Sequence, residues 1–257
     1  MTRAVILAAG RGTRLGAAAE GKPKCLAELA GRTLLDRQLA VMKACGVTDV
    51  ALVGGYQADQ LIARGHRVIL NPRFAETNMV ASLFCAEDFF KGHELVVAYG
   101  DIVYEPRVLR ALLAAEGPAA VVVDRGWKEY WQARFSDPLA DAETLKMDPR
   151  GFLKELGKKP RDYGDIEAQY IGLFKIAAAD TVRLGEAYRA LDRGASYDGK
   201  SFDLMYMTSF LQHLIDTGWP VRAVPIDHGW LELDRESDLE LYRSFRSAGQ
   251  PIPFFDI

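Results

Sequence analysis

The amino-acid sequence predicts a three-layer α/β fold, with helices on both faces of a mixed, mostly parallel central sheet. In the first half of the 257 residues, short β-rich runs alternate with helical patterns, which is typical of βαβ units around a parallel sheet. Hydrophobic residues make up 49% of the chain, enough to fill the core of one large domain. No internal repeat or long linker interrupts the sequence, so we expect one domain over residues 1–257.

Five short apolar runs are the predicted strands of the first half, at residues 4–8, 50–53, 68–70, 95–98 and 120–123. A helix is predicted over residues 33–45, because Leu34, Leu35, Leu39 and Met42 recur at helical spacing and Gly46 supplies a stop. We interpret this segment as a helix that packs on the sheet.

The pattern becomes irregular after Asp124, where an aromatic segment at residues 127–135 interrupts the alternation. A long strand is predicted at residues 169–176, followed by a helix from about residue 180. A second helix is predicted to begin at Ser201, a plausible N-cap, and to end before Gly218. The chain then returns through predicted strands at residues 221–224 and 230–233. We expect residues 125–257 to form a C-terminal lobe.

Composition and charge argue against several classes of protein. The formal net charge of -3 opposes a nucleic-acid partner, because binding to phosphate backbones normally needs a strongly basic surface. Cys25, Cys45 and Cys85 are widely spaced and form no CxxC, so neither a disulfide framework nor a zinc site is indicated. No apolar run approaches the roughly 18 to 20 residues that a membrane helix needs. We expect a soluble protein of the cytoplasm.

A small-residue loop follows the first predicted strand and carries the strongest local signal for phosphate binding. Glycine lacks a Cβ, so such a loop brings backbone N–H groups close to phosphate oxygens. The dinucleotide-binding pattern fails because Leu15 stands where its third glycine is required, and the P-loop pattern fails because Pro23 replaces its Ser or Thr. Two interpretations remain: an ordinary turn with solvated basic residues, or a triphosphate-binding loop that uses Arg11, Arg14, Lys22 and Lys24.

Four separated motifs resemble the signature of nucleotidyltransferases of the sugar-1-phosphate type. They are Gly10-x-Gly12-Thr13-Arg14-Leu15, Pro23-Lys24, Tyr99-Gly100-Asp101 and Trp230-Leu231-Glu232-Leu233-Asp234. The resemblance implies a Rossmann-like fold and an enzyme that joins the nucleoside monophosphate of an NTP to a phosphorylated acceptor, with release of pyrophosphate. It also implies that residues 1–124 mainly bind the NTP and residues 125–257 mainly bind the acceptor.

The same resemblance implies roles for individual residues, with Mg²⁺ as the cofactor. Asp101 and Asp234 would hold the ion, Arg14 would contact the triphosphate and Lys24 would reach the α-phosphate. Lys159 would hold the phosphate of the acceptor. The nucleotide would also contact the strand end and the loop, at Leu7, Ala8, Ala9, Gly10, Gly12 and Thr13.

Several of these residues also have a purely structural interpretation. Asp101 is compatible with a turn, Asp234 with the N-cap of a helix from Glu236, and Lys159 with a solvated turn before Pro160. Ligands of open α/β sheets bind beyond the carboxyl ends of strands, and Asp101 follows a predicted strand, which favours its role as a metal ligand. Asp101 and Asp234 form one site only if their strands lie side by side.

Departures from the hexose-1-phosphate pattern indicate a different acceptor. Lys158 stands where those enzymes place a glutamate that binds sugar hydroxyls, and residues 71–83 look like the corresponding region of bacterial phosphocholine cytidylyltransferases. Asn78 and Ser82 in that region are one helical turn apart, and the resemblance makes them nucleotide-binding residues. It extends to cytidylyltransferases of aminoalkylphosphonates. We therefore expect CTP and a small phosphate or phosphonate acceptor.

The aromatic segment after the fifth predicted strand suggests a site for an ammonium group. Trp127 and Trp131, beside Asp124 and Glu129, would form part of a cage, with each ring contributing about 0.5 to 2 kcal/mol. By resemblance, Trp131 matches a tryptophan that lines the choline pocket of the phosphocholine enzymes. Alternatively, these rings cover the sheet edge as core.

Two other functions stay open from the sequence. One is a sugar-1-phosphate nucleotidyltransferase that uses UTP, dTTP or GTP. The other is a nucleotide-binding module without catalysis, which the intact set of Arg14, Lys24, Asp101 and Asp234 opposes.

Overall fold

A seven-stranded sheet forms the centre of the protein, and the computed structural model describes residues 1–256. The strands, numbered in chain order, are β1 Thr2–Ala8, β2 Glu28–Leu29, β3 Arg32–Thr33, β4 Asp49–Gly54, β5 Val68–Leu70, β6 Glu94–Tyr99, β7 Ile102–Tyr104, β8 Ala119–Asp124, β9 Leu145–Met147, β10 Leu153–Leu156, β11 Gln169–Ile176, β12 Ser196–Tyr197, β13 Lys200–Ser201, β14 Val221–Ile226 and β15 Trp230–Glu232. The central sheet has the order β14-β8-β11-β6-β1-β4-β5, in which β11 runs antiparallel to both neighbours and the other pairings are parallel.

Helices connect the strands and cover the sheet. They are α1 Leu34–Ala44, α2 Asp59–Ala63, α3 Met79–Cys85, α4 Glu87–Phe90, α5 Pro106–Ala114, α6 Trp127–Arg134, α7 Thr181–Ala190, α8 Met207–Asp216 and α9 Glu236–Ser247. Short 3₁₀ turns occur between them, among them Thr13–Ala19, Lys24–Leu26 and Phe202–Leu204. Helix α1 begins where the Thr33 side chain accepts a hydrogen bond from the Asp36 amide, as an N-cap does.

The alternation of side chains along each strand divides the core into two apolar clusters. On β1, Ala4 and Ile6 belong to one cluster together with residues of α1, α5, α6 and α9. Val5 and Leu7 face the other way and pack with residues of α3, α4, α7 and α8. Two helical layers therefore enclose the sheet, and the predicted α/β fold with a mostly parallel central sheet is confirmed.

Most predicted elements match the observed ones within one or two residues, and two do not. The helix predicted from Ser201 begins instead at Met207. Ser201 pairs with Ser196 in the β12–β13 hairpin, and the chain then forms only the 3₁₀ turn Phe202–Leu204, with Phe202 and Met205 buried, before α8 begins. The aromatic segment at residues 127–135 is largely the helix α6, which its mixed pattern concealed.

Close approach of β6 to β1 depends on Gly100. Its amide donates a hydrogen bond of 2.9 Å to the carbonyl of Leu7, and a Cβ built on Gly100 would lie 2.6 Å from that oxygen. A side chain at this position would push apart the ends of two neighbouring parallel strands. Gly100 therefore allows Asp101, the next residue, to emerge beside the glycine loop that follows β1.

We predict that Gly100→Ala destabilises the protein by about 1–3 kcal/mol, because backbone cannot yield as a flexible side chain can. For a chain of this size the melting temperature should fall by roughly 2–12 °C in a thermal melt. Gly194→Ala is the matched control, since its Cβ would meet only the Asp192 side chain at 3.4 Å. Equal melting of the two variants would contradict the role of Gly100.

Candidate active site

Two pockets meet at the carboxyl ends of β1 and β6. The N-terminal pocket is lined by the end of β1, the glycine loop and the start of α3, and it includes Lys24 and Asp101. The C-terminal pocket is lined by β11, the loop before β9 and the start of α8, and it includes Glu232 and Asp234. Met79 and Tyr99 line both pockets and form their common wall.

The Lys24 ammonium lies between two aspartates at the junction of these pockets. Its Nζ is 2.7 Å from Oδ2 of Asp101 and 2.6 Å from Oδ1 of Asp234. Burial acts to lower the pKa of Lys24, but the charges of Asp101 and Asp234 more than offset this, and the pKa lies above its usual value. Lys24 therefore carries a full positive charge at neutral pH.

The β7–β15 hairpin places the two aspartates together. Asp101 precedes β7 and Asp234 follows β15, and the strands run antiparallel, with Glu232 opposite Ile102. The Leu233 amide extends the ladder by donating a 2.8 Å hydrogen bond to the carbonyl of Asp101. The two strands thus lie side by side, which is the condition that the sequence left open.

Glu232 is a third carboxylate at this place. Asp101, Glu232 and Asp234 each offer an oxygen within 4.8 Å of the others. Among residues 1–256, Oδ1 of Asp101 is buried without a hydrogen-bond partner, so the cluster fits a divalent cation. The sequence analysis did not select Glu232. The signal for it was its spacing from Asp234, because residues two apart in an extended strand lie on the same face.

The α9 segment does not use Asp234 as its N-cap. Arg235 is the N-cap residue, and Asp238 in the first turn reaches back to it, so that its Oδ2 accepts hydrogen bonds of 2.9 Å from the amides of both Asp234 and Arg235. The carboxylate of Asp234 faces Lys24 instead, and Nη2 of the exposed Arg14 is 3.0 Å from it.

A buried arginine holds this acidic edge in place. Arg134 of α6, whose side chain is 1% exposed, lies 2.8 Å from Glu232 and 2.9 Å from Asp238. The hydroxyls of Tyr130 and Tyr242 bind each other and hydrogen-bond the backbone of Glu232. Burial raises the pKa of Glu232 above its usual value, although the charge of Arg134 partly offsets this effect, and the negative charge of Asp101 adds to it.

The predicted nucleotide-binding residues gather mainly in the N-terminal pocket, which includes Leu7, Ala8, Ala9, Gly10, Asn78 and Ser82. Asn78 caps α3, and Ser82 donates a hydrogen bond to the Asn78 carbonyl and accepts one from Asn71. Gly12 and Thr13 line an adjacent surface groove with Arg11. Gly12 adopts a left-handed conformation, and a Cβ there would lie 3.0 Å from Lys24, so glycine leaves room for that side chain.

The predicted acceptor-binding residues are only partly brought together. Trp131 lines the C-terminal pocket, although it is largely buried and donates from Nε1 to Asp141 at 3.2 Å. Trp127 packs edge-on against Trp131 in the core and is not part of the pocket lining. The alternative that these rings belong to the core therefore fits Trp127, and it fits Trp131 only in part, because Trp131 also lines the pocket.

Asp124 and Lys159 make structural contacts outside the pocket. Asp124 is fully buried and accepts hydrogen bonds from the amides of Gly126 and His228 and from Nε1 of Trp230. Nζ of the exposed Lys159 donates to the carbonyls of Leu139 and Ala140. Because these polar groups are satisfied within the protein, we leave both residues out of the acceptor pocket proposed below.

Comparison with known proteins identifies the family. The sequence matches the MobA-like NTP transferase domain over residues 4–159. It is also 42% identical over 248 residues to the CTP:phosphoglutamine cytidylyltransferase of Campylobacter jejuni, across 93% of this chain and 98% of the relative. The chain belongs to the MobA-like NTP transferase family. It is a nucleotidyltransferase.

Two further proteins resemble this chain in sequence or in fold. The 2-aminoethylphosphonate cytidylyltransferase of Lancefieldella rimae is 25% identical over 71% of this chain and 70% of the relative. The solved CTP:phosphocholine cytidylyltransferase of Streptococcus pneumoniae shares the fold, with a TM-score of 0.68, 19% identity, and coverage of 97% of this chain and 99% of that one. The resemblance inferred from the four motifs is confirmed. Within residues 1–256, no helix is long and apolar enough to cross a membrane.

We predict that Arg134→Met costs about 3–5 kcal/mol of stability, because it leaves two carboxylates facing a buried, unpaired position. The melting temperature should fall by roughly 6–20 °C. Arg189→Met is the control: Arg189 pairs with Glu87 at the surface with half of its side chain exposed, and such pairs contribute about 1 kcal/mol or less. If both variants melt alike, Arg134 does not hold the acidic edge.

Proposed function

We propose that this MobA-like NTP transferase transfers CMP from CTP to a small phosphorylated or phosphonate acceptor and releases pyrophosphate. The observation that carries the proposal is the position of Lys24, Asp101 and Asp234 at the junction of two pockets. A nucleotide in one pocket and an acceptor in the other would present their phosphates to the same charged groups. The named activities of the Campylobacter and Lancefieldella relatives support CTP as the donor.

The N-terminal pocket is the proposed nucleotide site. Residues 7–10, the α3 N-cap Asn78 and Ser82 of α3 line it, so a pyrimidine base would meet small residues and short polar side chains. Arg14 is exposed at the pocket junction, where its guanidinium is available to a triphosphate. Gly12 and Thr13 would contact the phosphates from the adjacent groove.

Asp101 and Asp234 are the proposed ligands of Mg²⁺, with Glu232 as a third carboxylate beside them. When bound, the ion would supply positive charge to phosphate oxygens in the site. The hydrogen-bond-free Oδ1 of Asp101 supports this role, since a buried carboxylate oxygen normally has a partner.

The reaction needs positioning and charge neutralisation rather than a covalent nucleophile. An oxygen of the acceptor phosphate attacks the α-phosphorus of CTP, and the bond from that phosphorus to the bridging oxygen of pyrophosphate breaks. The acceptor phosphate is ionised near neutral pH, so no general base is required. Lys24, which stays protonated, would stabilise the negative charge that grows around the α-phosphate.

The C-terminal pocket is the proposed acceptor site, and aromatic and acidic side chains line it. The rings are those of Tyr99, Trp131, Tyr170, Tyr206 and Trp230. Such walls favour a cationic head group over the hydroxyls of a sugar.

A cytoplasmic location is part of this proposal. It is supported by the free thiols at Cys25, Cys45 and Cys85 and by the proposed use of CTP.

A panel of nucleotides and acceptors tests this function. We expect pyrophosphate release with CTP at least about tenfold faster than with UTP, dTTP, GTP or ATP. Phosphocholine, 2-aminoethylphosphonate and phosphoglutamine should serve as acceptors, and glucose 1-phosphate should not. Activity confined to UTP or dTTP with hexose 1-phosphates would establish the sugar-1-phosphate alternative, and binding of CTP without any turnover would establish a non-catalytic module.

We further predict that Asp101→Asn lowers Mg²⁺-dependent turnover by at least about 100-fold. Lys24 keeps Asp234 as a partner in this variant, and a melting curve checks that the variant is folded at the assay temperature. The measurement is pyrophosphate release across a MgCl₂ titration. Asp88→Asn, on the exposed side of α4, serves as the control and should behave as wild type. Unchanged turnover in Asp101→Asn would remove this residue from the proposed metal site.

A further inference from the structure

We propose that Glu143 binds a protonated primary amine on the acceptor, which makes aminoalkyl phosphates and phosphonates the substrate class of the C-terminal pocket. This inference rests on the cytidylyl transfer proposed above and names the acceptor group that the pocket selects.

The carboxylates that line the pocket are not equivalent. Three of them have a cationic partner: Asp141 lies 3.2 Å from Arg235, Glu232 lies 2.8 Å from Arg134, and Asp234 lies 2.6 Å from Lys24. The fourth is Glu143, which lines the same pocket and forms no ion pair with any Lys, Arg or His of residues 1–256. The positive charge that would complete the pocket is therefore not provided by the described protein.

The position of Glu143 is fixed by its backbone rather than by its charge. Its amide donates to Oε1 of Gln169 at 3.0 Å, and its carbonyl accepts a hydrogen bond from Nε2 of the same side chain. Gln169 is the buried first residue of β11, so the loop before β9 is held against the central sheet. Thr208, at the start of α8, lines the same pocket as Glu143. The backbone of Glu143 is thus held at the pocket wall by Gln169.

Burial raises the pKa of Glu143 to about 7, with further contributions from the negative charges of Asp141, Asp198 and Glu232 and an opposing one from Thr208. An ammonium group beside the carboxylate would reverse this effect, because an opposite charge favours the ionised form. The negative surroundings of Glu143 therefore favour a cation beside its carboxylate.

A carboxylate selects among ammonium groups by hydrogen bonding. A primary ammonium has three N–H donors, and a charge-assisted hydrogen bond to a carboxylate is among the stronger ones in proteins. A quaternary ammonium has no N–H donor and depends on ring faces alone. Arg14 and Asp234 line the same pocket as Glu143, so the acceptor would place its phosphate near Arg14 and its amine at Glu143.

The test compares Glu143→Gln with wild type on two matched probes, 2-aminoethyl phosphate and ethyl phosphate, with CTP saturating. Wild type should prefer 2-aminoethyl phosphate by about 10- to 100-fold in kcat/KM, which is the scale of one hydrogen bond to a charged group. Glu143→Gln should lose most of that preference, change ethyl phosphate by less than about threefold, and leave the KM for CTP unchanged. Glu143→Asp should retain part of the preference.

Glu116→Gln, an exposed glutamate in the loop before β8, is the control and should keep the wild-type preference. A melting curve checks the fold of each variant.

Equal losses of kcat/KM on both probes in Glu143→Gln would show a structural role and overturn the proposal. Phosphocholine would also overturn the proposal if its kcat/KM equalled that of 2-aminoethyl phosphate and Glu143→Gln changed neither value. Turnover of ethyl phosphate as fast as that of 2-aminoethyl phosphate by wild type would reject amine recognition and leave cytidylyl transfer intact. Absence of CTP turnover with every acceptor would reject both.

Discussion

The ion pair of the Lys24 ammonium with Asp101 and Asp234 is the contact on which the architecture of the site depends. A buried lysine is costly unless carboxylates compensate for its lost hydration, and two carboxylates side by side are costly unless a cation separates them. Each side of the contact therefore requires the other. The fold supplies them from three separate places: the turn after Pro23, the end of β6 and the end of β15. The site forms only when these elements have assembled.

The scaffold around that contact is built from elements that also stabilise the protein. The aromatic residues of α6 pack in one core cluster, and Trp131 presents part of its ring to the C-terminal pocket. Arg134 of the same helix binds the acidic edge of β15. Helix α6 thus links the interior to the active-site wall, and packing fixes the side chains on which acceptor recognition would depend.

Local pattern was sufficient for the strands and for the residues at their ends. Apolar runs predicted β1, β4, β6 and β8, and sequence motifs selected Lys24, Asp101 and Asp234, which the fold brings together. Long-range contacts were not accessible in this way. Glu232, Glu143 and Arg134 acquire their significance from partners far along the chain, and nothing in the sequence near Asp124 or Trp127 distinguishes a buried residue from a pocket-lining one. A competing contact also explains why the helix predicted from Ser201 begins later, at Met207. Ser201 has the local properties of an N-cap, but it is held in the β12–β13 hairpin instead.

The immediate surroundings of Lys24 contain Arg14, Lys24, Arg134 and Arg235 against Asp101, Glu232, Asp234 and Asp238, so positive and negative groups are equal in number. Such a centre offers no excess of positive charge to a bare polyphosphate, even though basic residues are frequent in the sequence around it. In the proposed reaction, electroneutrality would favour entry of the nucleotide as a complex with its own counter-ions, and the basic residues of the outer loop would then act on a ligand whose charge is already partly cancelled. The acidic edge would thereby discriminate between the free and the cation-bound forms of the same nucleotide.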